Sequence, residues 1–469
     1  MAGRPVSLVE PVYLLFLLVA AGLFRAAAGS PRLAVWALIA SSFFFYATWN
    51  PLCLVPLTVT ALVDFSVGRA LSREERKLAR RLLLTASLVV DLGLLVFSKY
   101  FGLLARDLPF RIVLAAGISF YTFQSMSYVM DVYRRDREPV SSFPAYLAFV
   151  SFFPTLLAGP ITRADTFFPQ AEKPRPFDDG EASAALLLIA MGFVKKCLIA
   201  DPLAVNLTSR VFDVPGLYTS VEVLVGIYAY AVQIWGDFSG YSDIAIGSAL
   251  LLGIRLKENF NSPYRASDLT EFWRRWHISL STWLRDYLFF SLPGKRPGTV
   301  WPYLNLVITF ALGGLWHGAS WTFAIWGVMH GAGLAVHRFV QSFRPARRPA
   351  RGPVPAVPGW RRALGTVVTF HFVAAAWVFF RCPTISQARD VFRVLFDGTT
   401  GAGNVTPAIL GAIAAGLAVQ FLPEGWLPRL RARFVLLPPA AQATALLAVA
   451  AAVRHASGSA VAPFIYFAF

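Results

Sequence analysis

What most constrains this chain is the recurrence of long apolar runs from near its start to near its end. They fall near residues 11–28, 33–48, 52–68, 82–101, 110–130, 145–160, 184–200, 221–254, 302–316, 319–337, 364–380, 407–421 and 440–453. A helix needs about 20 such residues to cross a hydrocarbon core about 30 Å thick. The pattern therefore predicts an all-α fold, a polytopic transmembrane bundle of about ten to thirteen membrane segments forming a single membrane domain over residues 1–469. The run 221–254 is too long for one crossing and several others are short, so broken or re-entrant helices are expected, with Gly236 and Gly240 marking one break.

Composition agrees. Hydrophobic residues make up 56% of the chain and charged ones 15%, which excludes an ordinary soluble domain. The net charge of +17, from 43 Lys and Arg against 26 Asp and Glu, would suit nucleic acid. The charges, however, sit in short loops between the runs, where the positive-inside rule places them, so no nucleic-acid partner is expected. The basic clusters 73–81, 133–137, 272–277, 337–352 and 429–433 should face the cytoplasm, and the Pro- and Arg-rich segment 342–360 reads as a flexible cytoplasmic loop. The N-terminus imitates a signal peptide, but Glu10, Arg25 and the runs that follow favour an uncleaved first helix. Cys53, Cys197 and Cys382 are far apart and form no CxxC, so neither a disulfide framework nor a zinc site is expected.

Polar residues inside such runs are the functional candidates. "LGGLWHGASW" (312–321) sets His317 at the tip of a helical hairpin that rises from basic loops on either side. Gly313, Gly314 and Gly318 leave room for a ligand or for close helix packing, and Trp316 and Trp321 could wall a pocket. "SDLTEFWRRWHISLSTWLRDYL" (267–288) should start a helix at Ser267 or Asp268, with Glu271 completing a capping box. On it Arg274, His277, Ser281 and Arg285 recur as one polar stripe opposite Trp273, Trp276, Leu280, Trp283, Leu284 and Tyr287. That pattern fits a headgroup anchor, or a site in which Arg274 and Arg285 meet the phosphates of a donor and His277 moves a proton.

"IWGDFSGYSDIAIG" (234–247) places Asp237 and Asp243 among apolar residues, where they would pair with Arg274 or Arg275, orient His317, or line a wet cavity. Gln124, Ser125, Ser127 and Asp131 make a polar seam on the helix 117–134, and Gly159-Pro160 must break the next one. His330, His337 and His371 lack zinc-like spacing with acids, so no metal is expected. Serine-hydrolase, Rossmann, Walker and HExxH motifs are all missing from the sequence.

The strings "GISFYTFQSMSYVMDVY", "SFFPTLLAGPITRADTFFPQ", "GFVKKCLIAD", "DFSGYSDIAIG", "LKENFNSPYRASDLTEFWRRWHISLSTWLRDYLF" and "LGGLWHGASWTFAIWGVMHG" resemble, in order, the membrane-bound O-acyltransferase family in its bacterial alginate type. The resemblance runs from about residue 40 to 340, with weaker similarity in 377–396 and in the closing "FIYFAF". It implies acyl transfer from a cytoplasmic thioester, acetyl-CoA for this type, with no bound cofactor. The acceptor would be an exopolysaccharide hydroxyl, directly or through a periplasmic serine-hydrolase-like acetyltransferase partner. The location implied is the bacterial inner membrane. His317 matches the family's catalytic histidine and His277 its second essential one, with Ser281, Trp316, Arg274 and Arg285 as donor or tunnel contacts. The loop "FFSLPGKRPGTV", with Lys295 and Arg296, departs from the family pattern, as does Trp235-Gly236. Two rivals remain: D-alanyl transfer from a carrier protein to a cell-wall polymer, and a polysaccharide or lipid-precursor transporter using His317 and Asp237 as a relay.

Overall fold

The computed structural model describes residues 8–27, 29–104, 117–172, 178–294, 299–343 and 358–456, and among these the secondary structure is helical throughout. Four helical stretches are long and apolar enough to cross a membrane: Pro51–Arg73, Lys77–Lys99, Asp179–Asp213 and Gly359–Arg381. The shorter apolar helices Val12–Ala26 and Pro31–Ala47 add to them. Most of the loop 342–360, Lys295, Arg296 and the closing "FIYFAF" lie outside the described residues.

The described chain groups into two compact units. The first holds Met1–Phe193, Gly240–Glu258 and Leu427–Ala451. Its centre is polar: Asp64 accepts hydrogen bonds from Ser87 and from Ser125, whose hydroxyl also meets Tyr146 at 2.7 Å. Gln124, read from sequence as part of a polar seam, donates to the Phe149 carbonyl at 2.5 Å within this unit. The helix that follows, Phe143–Ser151, already ends at Phe152, and a further single turn, Phe153–Leu156, stops ahead of Gly159-Pro160.

The second unit holds Val194–Ser239 and Asn259–Trp426, and carries both candidate histidines. Its frame is a hairpin, Trp301–His317 and Trp321–Ser342, packed on Gly359–Arg381. Side chains at Gly327 or Gly331 would collide with the facing backbone of Phe310 and of Leu306 and Val307, so those glycines let the two helices approach.

One expectation fails. Ser220–Leu251 is a single unbroken helix of 32 residues, with no break at Gly236 or Gly240. A Cβ on Gly236 would stand 3.1 Å from the Lys195 carbonyl, so this glycine serves close packing and the backbone hydrogen-bond ladder continues through it.

Candidate active site

His317 is the last residue of its helix, and Ser320 caps the next, its Oγ accepting from the Thr322 N–H at 3.3 Å. The same hydroxyl donates to the Pro383 carbonyl at 3.0 Å, tying the tip to the end of Gly359–Arg381. The hairpin tip predicted from the basic loops is therefore present. The imidazole is 5% exposed, with ring centroids of Trp316 at 4.9 Å, Phe380 at 5.1 Å and Trp326 at 5.2 Å. Trp316 forms a wall as expected, but Trp321 is 77% exposed and lines nothing.

His277 is reached by a different construction. The predicted helix start is present: Asp268 accepts from the Glu271 N–H at 2.8 Å, and Glu271 accepts from the Ser267 N–H and hydroxyl, each at 2.9 Å. The helix, however, covers only Leu269–Arg275 and a second runs over Ile278–Trp283. Between them Trp276 is extended and His277 takes a left-handed backbone, φ 40°, which a side chain with a Cβ adopts only under strain.

The break has a cause in Asn259. Its backbone carbonyl accepts from the Ile278 N–H at 2.9 Å and its Oδ1 from the Ser279 N–H at 3.1 Å, so one residue from outside caps the second helix. The single polar stripe expected over 267–288 is thereby overturned. Arg274 and Arg285 are exposed, Arg285 donates to Asp286 at 2.7 Å, and the Ser281 hydroxyl turns back to the Trp276 carbonyl at 3.1 Å. The apolar face was read correctly: Trp273, Trp276, Leu280, Trp283, Leu284 and Tyr287 are all buried.

Asn259 also fixes the protonation of His277. The atom that accepts from the Ser279 N–H must be oxygen, because a backbone N–H can only donate. His277 Nδ1 stands 3.2 Å from that same oxygen and so carries the hydrogen, leaving a lone pair on Nε2. His277 lies outside the four span-length helices, and burial lowers its pKa to about 3, so the ring is neutral at physiological pH. Its Nε2 is set up as a hydrogen-bond acceptor.

Asp237 pairs with neither Arg274 nor Arg275. It meets Lys196 Nζ at 2.6 Å, and Lys196 also reaches Asp201 at 2.8 Å, with all three side chains buried. Arg275 bonds Glu271 instead, at 2.9 Å. The next residue, Phe238, packs edge-on against the His277 ring at 4.6 Å, so the triad and a ring that touches the histidine sit on adjacent residues of one helix. Lys196 lies within the string "GFVKKCLIAD", but sequence reading gave it no role. Asp243 falls in the first unit.

Of the histidines considered together in sequence, His371 bonds Tyr228 at 2.8 Å and His337 bonds Gln341 at 2.6 Å. His330 is fully buried, and its Nδ1 accepts from the Trp273 indole N–H at 3.3 Å. An indole nitrogen only donates, so neutral His330 carries its hydrogen on Nε2. Among the described residues no acceptor meets that N–H, nor the indole N–H of Trp326 beside it. Each unmet buried donor costs ~1–3 kcal/mol. The spacing of Trp326 and His330, four residues apart on one helix, was the available sequence signal.

Ring contacts join these groups into one aromatic cluster. From His277 they pass through Phe260, Trp276 at 5.0 Å from it, Trp377 at 4.9 Å and Trp326 at 5.7 Å, to His317. Such a site is dry, carries the neutral imidazole of His277 at one end and the His317 ring at the other, and offers indole and imidazole donors to an oxygen that gains charge.

Comparison with known proteins gives the family. Residues 137–369 match the model of the membrane-bound O-acyltransferase family. The chain is 38% identical over 378 residues to the probable alginate O-acetylase AlgI of Azotobacter vinelandii, covering 77% of this chain and 72% of that one. It is 39% identical over 397 residues to the protein of the same name from Pseudomonas aeruginosa, covering 81% and 74%. It is also 34% identical over 391 residues to the peptidoglycan O-acetyltransferase of Helicobacter pylori, covering 76% and 72%.

Proposed function

The chain belongs to the membrane-bound O-acyltransferase family, and from that premise we propose that it moves an acetyl group from cytoplasmic acetyl-CoA to a hydroxyl on the far side of a bacterial inner membrane that it crosses several times. The acceptor in this reading is an exopolysaccharide, reached directly or through a periplasmic serine-hydrolase-like partner. No bound cofactor enters the reaction. The observation that supports the reading is the pair of buried histidines, His277 and His317, at the two ends of one aromatic cluster, with His277 held in its proton-accepting form.

In the proposed reaction the acceptor hydroxyl gives its proton to the His317 imidazole as its oxygen bonds to the thioester carbonyl carbon. The tetrahedral oxyanion then collapses, the carbon–sulfur bond breaks, and the imidazolium returns the proton to the departing thiolate. His277 Nε2, a lone-pair acceptor, receives a hydrogen bond from the donor's arm. Trp316 walls His317, while Arg274 and Arg285, both exposed, attract the donor's phosphates from solution without entering the buried site.

The test is turnover of radiolabelled acetyl-CoA by the purified protein in vesicles with a periplasmic acceptor fraction. His317→Ala, still folded and inserted, should reduce turnover at least a thousandfold (about 10³, as for removal of a general base) and His277→Ala about a hundredfold. Normal turnover by His317→Ala would overturn the reading. Turnover with a D-alanyl carrier in place of acetyl-CoA would move the chain to the cell-wall-polymer alternative.

A further inference from the structure

We propose that the Trp326 indole N–H and the His330 Nε2–H hold carbonyl oxygens of the acyl donor, the Trp326 N–H taking the thioester oxygen as it becomes an oxyanion beside His317. This rests on the reading of His317 as the reacting base.

The two residues stand one turn apart on the same face of Trp321–Ser342, about 6 Å along the helix. The Trp326 ring lies against His317 on one side, at 5.2 Å, and against His330 on the other, at 5.0 Å. Trp326 is 2% exposed and His330 fully buried, so bulk solvent does not reach either donor. Neither N–H meets an acceptor among the described residues, although the surroundings supply rings on every side: Trp273, Phe310, Phe372, Trp377 and Phe380.

Two unmet donors in a dry site are a standing cost that an arriving acceptor removes. Oriented N–H groups that need no rearrangement when charge develops are what acyl transfer requires of its surroundings. The tautomer of His330 is imposed by Trp273, which donates to Nδ1 and so keeps the hydrogen on Nε2. A thioester and the amides of a thiol-bearing arm present carbonyl oxygens in series, and a pair of donors in series along one helix face suits them. His317 takes the proton, Trp326 receives the oxygen, and His330 holds the next carbonyl along the arm.

The experiment compares single-site variants of the full chain in vesicles. Trp326→Phe keeps a ring and loses the N–H, and should lower kcat about a hundredfold with KM unchanged, the loss seen when one oxyanion donor is removed. His330→Phe should raise KM about tenfold with kcat less affected. Trp283→Phe makes the same change at a buried tryptophan that packs on Tyr287 outside this cluster, and should leave kcat within about threefold. An equal loss in Trp326→Phe and Trp283→Phe would assign the effect to packing and overturn the proposal. Should Trp326→Phe turn over normally while His317→Ala is silent, the donor assignment falls and the acyltransfer reading stands. Should His317→Ala stay active, the reading itself falls. A measurement on the unaltered protein covers a variant that fails to fold. A ketone analogue of acetyl-CoA, labelled with carbon-13 at its carbonyl, should show a lowered carbonyl stretch on binding, and an unshifted stretch would overturn the proposal.

Discussion

His277 and His330 are both buried imidazoles of the second unit, each bonded through Nδ1, yet their partners prepare them for opposite chemistry. Asn259 offers His277 an oxygen, so Nδ1 donates and Nε2 is a base. Trp273 offers His330 an N–H, so Nδ1 accepts and Nε2 is a donor. The surroundings differ in the same sense. His277 rests on Phe238, next to Asp237 and its buried ion triad, and its backbone is strained. His330 is enclosed by aromatic rings on regular helix. A histidine's role is thus set by the single atom facing Nδ1, which no spacing rule reports.

The largest effect should come from breaking the ionic support on the His277 side. Lys196→Met leaves Asp201 and Asp237 buried without their cation, which should cost about 3–5 kcal/mol. Replacing all three together, Lys196→Met with Asp201→Asn and Asp237→Asn, should recover most of that loss, because the uncompensated charge has gone. Thermal unfolding in detergent measures both. A single variant as stable as the unaltered protein would show that the triad bears no weight, and the two histidine sides would then differ only in tautomer.

What could be read in advance follows the same division. The helical character, the capping box at Asp268 and Glu271, and the hairpin tip at His317 are local or periodic signals, and they are where the sequence placed them. The break at His277 carries no glycine or proline, because it is imposed by Asn259, 18 residues earlier in the chain. The glycines at 236 and 240 signal a break only if backbone freedom is their purpose; here both lie inside one continuous helix, and Gly236 permits a close approach to the Lys195 carbonyl. Lys196 carries no local mark of its role inside the apolar run 184–200, and His330 gives only its spacing from Trp326, because tertiary partners define what each side chain does.

A second test converts one side toward an ionised form. In the folded chain His277 has a pKa of about 3, against about 6.5 when unfolded, so its neutral form favours folding above pH ~6.5 and that contribution is lost as pH falls toward 3. Asn259→Asp keeps an oxygen in place but adds a negative charge, which raises the His277 pKa and favours imidazolium. The acidic limb of the turnover profile should move up by at least about one pH unit, with activity at high pH largely retained. An unmoved limb would mean that the protonation of His277 does not limit the reaction, and its contrast with His330 would then be structural alone.

The smallest effect sharpens the other side. Trp273→Phe removes the indole N–H that fixes His330, leaving Nδ1 free to carry the hydrogen instead. With neither tautomer imposed, up to half the molecules would present a lone pair where the proposed donor belongs, and kcat/KM should fall about twofold beyond any loss of folded protein. Nitrogen-15 spectra of labelled histidine distinguish the two forms directly: His330 should show one protonated Nε2 in the unaltered protein and a mixture in the variant. If the spectra remain those of a single Nε2–H form, the aromatic enclosure selects the tautomer without Trp273. The donor would then be fixed by the shape of its pocket, whereas the base at His277 is fixed by one hydrogen bond.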